Sequence, residues 1–265
     1  MFITLEYSEQ VKVIGGDSMN KKMKIAVFSD IHGNYQAAKI IMDDIKKNSF
    51  DEIICLGDII GIGPKSRECL DLILKSGITI IAGNHDLYYK YGIGIDNKIT
   101  EENEIKHHKW IHSSIQDLIS REDMKIPLSK ELNFNNKKIL FQHYMLNEDL
   151  EKDSFPFERI SIRNMTDIEN YCENMKCDYL FIGHEHRAFK VEKNNKNIIC
   201  IGSSGCVKEN KTFYTIIEIN DNDITITKKE LEFDRDSLIK DMKLYKYPDQ
   251  EFIGKVMFGI ENLQK

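Results

Sequence analysis

An apolar run meets a cluster of polar side chains in the stretch Lys24-Ile25-Ala26-Val27-Phe28-Ser29-Asp30-Ile31-His32-Gly33-Asn34. The run at 24–29 predicts a buried strand, and apolar residues at helical spacing over 35–48 predict a helix. A strand that leads at once into a helix is the repeating unit of α/β folds. The polar residues therefore stand just past the carboxyl end of a strand, where open α/β sheets place their binding sites.

The same alternation of short apolar runs and amphipathic stretches continues along the chain and predicts an α/β fold. Further strands are predicted at 52–56, 78–82, 132–134, 138–141, 179–182, 188–192, 197–201, 212–219 and 223–233. Further helices are predicted at 67–76, 100–119, 165–174, 236–244 and 250–262. The strands at 132–134 and 138–141 are predicted to form a hairpin around Asn135-Asn136.

The chain has 265 residues, no internal repeat and no linker-like tract. This length suits one large α/β domain. We expect a single domain over 23–265 with a helical insert at about 87–135. Met19 and Met23 both precede the first clear strand. Residues 1–22 are therefore expected to be an extension, and we hypothesise that the native start is Met19 or Met23.

Composition argues against several classes of protein. The formal net charge of −6 gives no basic footprint, so a nucleic-acid partner is not expected. No apolar stretch approaches the roughly 18 residues of a membrane span, and the first residues do not resemble a signal peptide. The six cysteines form no C-x-x-C pair. This favours reduced structural thiols in a cytoplasmic protein over a disulfide framework or a zinc cluster.

Side chains that can bind metal follow five of the predicted strands. They are Asp30, His32, Asp58, Asn84, His143, His184 and His186. Together they could hold two divalent ions, with Asp58 as the bridge because a carboxylate has two oxygens. A mixed nitrogen and oxygen shell suits manganese, iron, cobalt, nickel or zinc better than calcium or magnesium. Each motif alone is a weak signal, and the prediction depends on their order and their position after strands.

The motifs S-D-I-H-G-N, G-D-I-I-G-I-G-P, G-N-H-D, Q-H and G-H-E-H follow one another as in the calcineurin-like metallophosphoesterase superfamily. The sequence most resembles the small bacterial branch of this family, which includes phosphodiesterases and diadenosine-tetraphosphate pyrophosphatases. The resemblance implies two packed mixed β-sheets flanked by helices, a four-layer α/β/β/α sandwich. It also implies two divalent metal ions, with manganese expected first and iron, nickel, cobalt or zinc as alternatives.

The resemblance further implies a role for each motif residue. The two implied metal sites, which share Asp58, are Asp30, His32 and His186 in one and Asn84, His143 and His184 in the other. His85 would be catalytic and lie beside the substrate, where a histidine that titrates near neutral pH can orient phosphate or protonate the leaving oxygen. Asn34 would bind substrate by contacting its phosphate.

The expected activity is hydrolysis of phosphate esters or anhydrides by metal-bound hydroxide. The expected partner is a small phosphorylated substrate, first a nucleotide phosphodiester or a dinucleoside polyphosphate. A phosphomonoesterase is the runner-up. A nuclease would need a basic channel, and a non-catalytic scaffold would lack ligands that are present in this chain. Whether the chain forms a homo-oligomer is left open.

Several residues keep two interpretations. Tyr144 stands where relatives often have glycine, which leaves the width of the phosphate pocket open. Asp86 could orient His85 or cap a turn. Two roles are open for the next set of residues: they could shape the leaving-group pocket, or they could pack the insert on the core. These residues are Tyr88, Tyr89 and Tyr91. A solvated or partly buried helix face, not a metal site, is expected for His107, His108 and His112.

Overall fold

The computed structural model of the chain describes residues 12–13, 22–134, 136–147, 155–220 and 223–263. The strands in these ranges are β1 (Lys12–Val13), β2 (Met23–Phe28), β3 (Glu52–Cys55), β4 (Thr79–Ile80), β5 (Ser129–Phe134), β6 (Lys137–Gln142), β7 (Tyr179–Ile182), β8 (Phe189–Lys193), β9 (Lys196–Cys200), β10 (Lys211–Ile219) and β11 (Ile224–Glu232). The helices there are α1 (Tyr35–Ile45), α2 (Ser66–Leu74), α3 (Asn84–Tyr91), α4 (Glu102–Ile115), α5 (Met165–Asn174), α6 (Arg235–Tyr245) and α7 (Gln250–Phe258). A 3-10 helix spans Ile93–Ile95.

The strands form two mixed sheets. The described part of one sheet has the order β1-β5-β6-β7-β9-β8, and that of the other has the order β11-β10-β2-β3-β4. β2, β3 and β4 are parallel neighbours, and so are β6, β7 and β9. Antiparallel pairs flank both parallel sets, including the predicted hairpin of β5 and β6. Asn135, at the turn of that hairpin, lies outside the described residues.

The two sheets pack face to face with helices outside them, which confirms the predicted four-layer sandwich. Ile25 and Ile54 of one sheet share an apolar core with Phe141 and Phe181 of the other. Burial of a side chain of this size contributes about 1.5–3 kcal/mol. Helices α1, α2 and α4 cover the outer face of the five-stranded sheet, and α5 covers that of the six-stranded sheet.

One helix was not predicted, and three helices end three or more residues earlier than predicted. Helix α1 ends at Ile45 instead of 48, and α4 spans Glu102–Ile115 instead of 100–119. Helix α3 was not predicted, because Asn84 and His85 were read only as polar residues that follow a strand. Helix α7 ends at Phe258, four residues before its predicted end. There Gly259 takes a left-handed φ of +60°, and Ile260 donates its N–H to Gly254 O at 2.8 Å. This reversal of the chain direction ends the helix.

The segment between α3 and β5 carries the 3-10 helix and α4, which packs on the main core. Along the described chain, no helix combines the length and the apolar character needed to cross a bilayer. All six cysteines are free thiols, and five of them are buried. The hypothesised native start falls in a segment that lies mostly outside the described residues, so it stays a hypothesis.

Candidate metal centre

The turns that follow five strands carry the candidate ligands. Following β2, β3, β4, β6 and β7 in that order are Asp30 with His32, Asp58, Asn84, His143, and His184 with His186. Backbone hydrogen bonds join neighbouring turns within each sheet, from His32 N to Asp58 O and from Gly183 N to His143 O, both at 2.9 Å. His184 N donates to the Asp30 carboxylate at 3.1 Å, which joins the two sheets. All seven predicted ligands therefore meet at one edge of the sandwich.

Most of these turns use left-handed backbone. Positive φ angles are found at Asp30 (54°), His32 (46°), Asp58 (50°), His184 (67°) and His186 (53°). Such a conformation costs about 1–3 kcal/mol at a residue other than glycine, and it persists only where surrounding contacts impose it. Clusters of strained residues occur mainly at functional sites. The sequence gives no direct sign of this strain, although Asp and His tolerate the left-handed region better than most residues.

One cluster of donor atoms is formed by Asp30, His32, His186 and Asp58. The Nε2 atoms of His32 and His186 approach to 2.9 Å. Asp30 Oδ1 lies 3.5 Å from His186 Nε2 and 3.7 Å from His32 Nε2. Asp58 Oδ2 lies 3.5 Å from His32 Nε2. We name these four residues cluster A.

A second cluster lies on the other side of Asp58. Asn84 Oδ1 lies 3.1 Å from His143 Nε2 and 2.9 Å from His184 Nδ1. The two histidine nitrogens are 3.3 Å apart. Asp58 Oδ2 lies 3.3 Å from His143 Nε2. We name Asn84, His143, His184 and Asp58 cluster B.

The two oxygens of Asp58 have different surroundings. Oδ2 belongs to both clusters, whereas Oδ1 accepts the backbone N–H of His85 at 2.9 Å. Gly83 lies so close that an added Cβ would stand 2.1 Å from Oδ1. From the sequence, each oxygen of this carboxylate was expected to face its own metal. The geometry instead directs one oxygen to both clusters and uses the other to hold the turn.

The histidine tautomers are set by backbone carbonyls. His32 Nδ1 lies 3.2 Å from Ile60 O, and His143 Nδ1 lies 2.9 Å from Leu56 O. A carbonyl can only accept a hydrogen bond, so in the neutral ring each Nδ1 carries the proton and each Nε2 presents a lone pair to its cluster. Nitrogen lone pairs, carboxylate oxygens and an amide oxygen thus converge in a space from which water is largely excluded. This donor set fits divalent cations of the manganese-to-zinc series.

The electrostatics of the metal-free site show the same demand for positive charge. Burial acts to raise the pKa of Asp58, but the charge and the hydrogen bond of His143 outweigh it and hold the pKa well below its usual value. Burial acts to lower the pKa of His143, but the negative charge of Asp58 raises it to about 9. The proton on His143 thus occupies a place that a metal cation would take.

His85 lies beside cluster A. Its ring centroid is 4.8 Å from that of His32, and donor atoms of His85, His32 and Asp58 all lie within 4.8 Å of one another. Its Nδ1 is buried and has no hydrogen-bond partner among the described residues. The ring packs on Gly61, where a Cβ would come within 2.3 Å of Nδ1. Burial lowers the pKa of His85 well below its usual value, although the charge of Asp58 opposes this shift.

Asp86 caps the turn instead of orienting His85. Its Oδ2 accepts the backbone N–H groups of Asp58 at 2.8 Å and Gly83 at 2.9 Å. These bonds fix the start of α3 against the turn that carries Asp58. Burial and the charge of Asp58 together raise the pKa of Asp86 to about 7.

Asn34, the predicted phosphate ligand, is fully buried. Its Oδ1 accepts the N–H of Ala37 at 3.1 Å and caps α1, and its Nδ2 donates to Gly205 O at 2.8 Å. One amide hydrogen is left for a ligand. The phosphate contact of Asn34 therefore stays a prediction, beside a clear structural role.

Tyr144 lies behind the site. Its ring centroid is 4.5 Å from that of His184, and its hydroxyl oxygen lies 2.8 Å from Ile160 O and 2.9 Å from Glu185 Oε1, so its one proton can be donated to either oxygen. Tyr144 is 1% exposed. It therefore supports the turn that carries His184 instead of narrowing a phosphate pocket.

The histidines of α4 are buried, which corrects the expectation of a solvated or partly buried helix face. His107, His108 and His112 are 5%, 2% and 7% exposed. The ring of His108 lies 5.0 Å from that of His85 and 5.1 Å from that of Tyr88. Spacing along one helix cannot reveal such a contact, because it depends on where α4 docks. The insert thus supplies a wall of the site, although the sequence did not show that His108 would be the residue in contact.

Tyr88 and Tyr89 face in different directions. The ring of Tyr88 lies 5.5 Å from that of His85, and its hydroxyl donates to Asp96 Oδ2 at 3.0 Å. Tyr89 is 1% exposed and donates its hydroxyl to Ile119 O. Tyr88 therefore borders the site, whereas Tyr89 packs the insert on the core.

Comparison with known proteins identifies the family. A profile of the calcineurin-like phosphoesterase superfamily domain matches residues 23–222. The uncharacterized protein MJ0912 of Methanocaldococcus jannaschii is 29% identical over 235 residues, which cover 80% of this chain and 89% of that protein. The symmetrical bis(5'-nucleosyl)-tetraphosphatase of Psychromonas ingrahamii is 34% identical over 70 residues, which cover 25% of each chain.

The fold is shared with a solved structure. The crystal structure of a metallophosphoesterase from Sphaerobacter thermophilus superposes with a TM-score of 0.67 at 19% identity, covering 91% of this chain and 100% of that one. The profile spans both clusters and His85. The donor groups at this edge of the sheets suit the metal-dependent hydrolysis that characterises the family. The chain is thus a metal-dependent phosphoesterase and belongs to the calcineurin-like phosphoesterase superfamily.

Proposed function

We propose that clusters A and B each bind one divalent metal ion, and that manganese is the preferred ion. We further propose that the chain hydrolyses phosphodiester or phosphoanhydride bonds of small nucleotides. The observation that carries this proposal is the position of Asp58 Oδ2. This one buried oxygen lies 3.5 Å from a nitrogen of cluster A and 3.3 Å from a nitrogen of cluster B. A shared carboxylate oxygen is a natural bridge between two cations.

When bound, two divalent ions would acidify a water molecule and offset the charge that develops on the phosphoryl oxygens. The chain's own residues position that chemistry. Asp58 keeps the clusters adjacent, and the carbonyl partners of His32 and His143 keep both Nε2 lone pairs aimed inward. The side chain of His186 is 25% exposed. The site is therefore open to solvent at His186, and we expect substrate to approach there.

His85 would orient the phosphate. Its enclosed Nδ1 has no donor or acceptor among the described residues. A bare lone pair costs less there than an unpaired N–H, so the proton belongs on Nε2. His85 then presents an N–H group that can donate to a phosphate oxygen or to the leaving oxygen. A bound phosphate would raise the pKa of this ring and favour proton transfer.

The charge balance of the site favours a diester over a monoester. None of the seven candidate ligands, nor His85, is a lysine or an arginine. Recognition of a phosphomonoester dianion typically uses such cationic side chains. A diester or an internal anhydride phosphate carries one negative charge fewer, which two metal ions can balance. The partial likeness to a bis(5'-nucleosyl)-tetraphosphatase supports a nucleotide. Six free thiols suit the cytoplasm, where we place the protein.

The test is a substrate panel with manganese: bis-p-nitrophenyl phosphate, p-nitrophenyl phosphate and dinucleoside polyphosphates. We expect the diester and the polyphosphates to be hydrolysed faster than the monoester. His85→Ala should lower kcat about 10²–10⁴-fold and keep two metal ions per chain. Asp58→Asn should lose both rate and metal, measured by elemental analysis.

These two variants serve as controls for each other, because only one of them alters a proposed ligand. Full activity and full metal content in Asp58→Asn would defeat the bridging role. A panel in which only the monoester is hydrolysed would replace the diester proposal with the phosphomonoesterase alternative.

A further inference from the structure

Cys206 has a position unlike that of the other thiols. It is the one cysteine that is not fully buried. Its Sγ and ring nitrogens of His32 and His186 all lie within 4.8 Å of one another. His32 and His186 are the two histidines of cluster A, so the sulfur stands at the edge of that cluster. Nothing in the sequence motifs marks this residue, because the contact joins distant parts of the chain.

The loop that carries Cys206 is fixed to the turn that carries the ligands. Gly205 N donates to Asp30 O at 3.0 Å, and Ser203 Oγ donates to the same oxygen at 2.8 Å. Ser203 Oγ also accepts the N–H of Cys206 at 2.8 Å. Gly205 packs so tightly that a Cβ would lie 1.9 Å from Ile31 O. The position of Cys206 relative to cluster A is therefore set by backbone contacts.

From this geometry we propose that Cys206 is an additional metal donor at cluster A, and the proposal rests on the proposed two-metal centre. A metal bound by an imidazole and a thiolate separates nitrogen and sulfur by roughly 3.1–3.6 Å. The sulfur lies within 4.8 Å of both nitrogens, so coordination needs only a small shift of the side chain. On coordination the S–H bond breaks, a sulfur–metal bond forms and the proton leaves to solvent. No oxidant or reductant takes part.

A thiolate makes the two metal sites chemically unequal. Cluster B offers nitrogen and oxygen donors only, whereas cluster A gains a soft sulfur donor. Sulfur ligands favour zinc, cobalt and iron over manganese. Cluster A should therefore prefer zinc, cobalt or iron, while cluster B accepts manganese.

The test is the absorption spectrum of the protein loaded with cobalt(II) after removal of other metals. Coordination by Cys206 gives a thiolate-to-cobalt charge-transfer band in the near ultraviolet. Cys206→Ser and Cys206→Ala should lose this band but keep the weaker visible bands of bound cobalt. Cys177→Ser is the matched control and should keep both, because Cys177 lies in the core beneath α5, away from the clusters. Far-ultraviolet circular dichroism checks the fold of each variant.

Metal preference gives a second readout. In competition between zinc and manganese, Cys206→Ser should retain about 10–100-fold less zinc relative to manganese than the unmodified protein. An unmodified protein without the charge-transfer band, or a band that persists in both Cys206 variants, would overturn the proposal. Neither readout uses catalysis. A band without diester hydrolysis would reject the proposed activity alone, and hydrolysis without a band would reject the Cys206 ligand alone.

Discussion

Replacing Asp86 by asparagine tests how the buried carboxylates of the site share their charge. Asp86 is 1% exposed and its Oδ1 has no hydrogen-bond partner among the described residues. Burial and the charge of Asp58 raise its pKa to about 7. Asparagine keeps an oxygen for the N–H groups of Asp58 and Gly83 but cannot ionise. The variant therefore removes the charge and keeps the cap.

The size and sign of the effect follow from linkage. An unfolded aspartate titrates near pKa 3.9. Between about pH 4 and pH 7 the unfolded chain releases this proton and the folded chain keeps it, so stability falls as pH rises. The shift of about three units corresponds to a limit of about 4 kcal/mol above pH 7. Asp86→Asn lacks this loss, so its stability relative to the unmodified protein should rise by up to about 4 kcal/mol over that interval.

The measurement is urea unfolding of metal-free protein in EDTA at a series of pH values, followed by circular dichroism. The relevant quantity is how the difference in unfolding free energy between the variant and the unmodified protein changes with pH. Any pH-independent cost of the amide therefore cancels. Asp236→Asn, at an exposed position in the first turn of α6, should give a flat difference. Excess manganese should weaken this pH dependence of the stability difference, because bound cations favour the ionised form of Asp86. A flat difference for Asp86→Asn would refute the assigned charge coupling.

Three further outcomes are expected. Tyr144→Phe removes the hydroxyl that holds Glu185. Metal affinity, measured by chelator competition, should fall about 10–100-fold, while the unfolding free energy should change by only about 1 kcal/mol. Unchanged metal affinity would contradict the supporting role of Tyr144. Below pH 9 the proton on His143 competes with metal, so metal affinity should rise with pH up to about 9. Calorimetry in two buffers should detect proton release on metal binding near neutral pH. Metal binding without proton release would refute the competition at His143. Gly183→Ala sets a Cβ 2.0 Å from Ser29 Oγ and should abolish metal binding, whereas Gly94→Ala, with nothing within 4 Å, should not; equal binding in both would show that the turn is not tight.

Much of the architecture could be predicted because it depends on local pattern. Short apolar runs placed most strands within one or two residues, and the position of polar residues after those runs located the candidate ligands. Helix α3 was missed because its first turn carries Asn84, His85 and Asp86, which occur in loops as readily as in helices. Their helical state depends on the cap that Asp86 makes to Gly83.

The parts of the site that the sequence did not reveal all depend on long-range contacts. His108 touches His85 only because α4 docks against the outer face of a sheet, and Cys206 reaches cluster A only because its loop is tied to Asp30. Neither contact has a signature in spacing or composition. The different roles of the two oxygens of Asp58 also depend on long-range contacts, because the residue type alone does not reveal which oxygen faces which neighbour.

The left-handed turns at five candidate ligands mean that the cage exists before any ion arrives. In small zinc modules, metal binding and folding are one event, and chelators unfold the chain. Here the sandwich holds the strained turns by its own packing, so we expect the protein to stay folded when a chelator removes the ions. The same turns limit how the site can be redesigned. Asparagine tolerates left-handed backbone, whereas a β-branched residue adopts it only at a higher cost, as Ile62 does at φ +55°. New ligand sets are therefore more accessible by exchange among Asp, Asn and His than by introducing Thr at Asp30, His32 or Asp58.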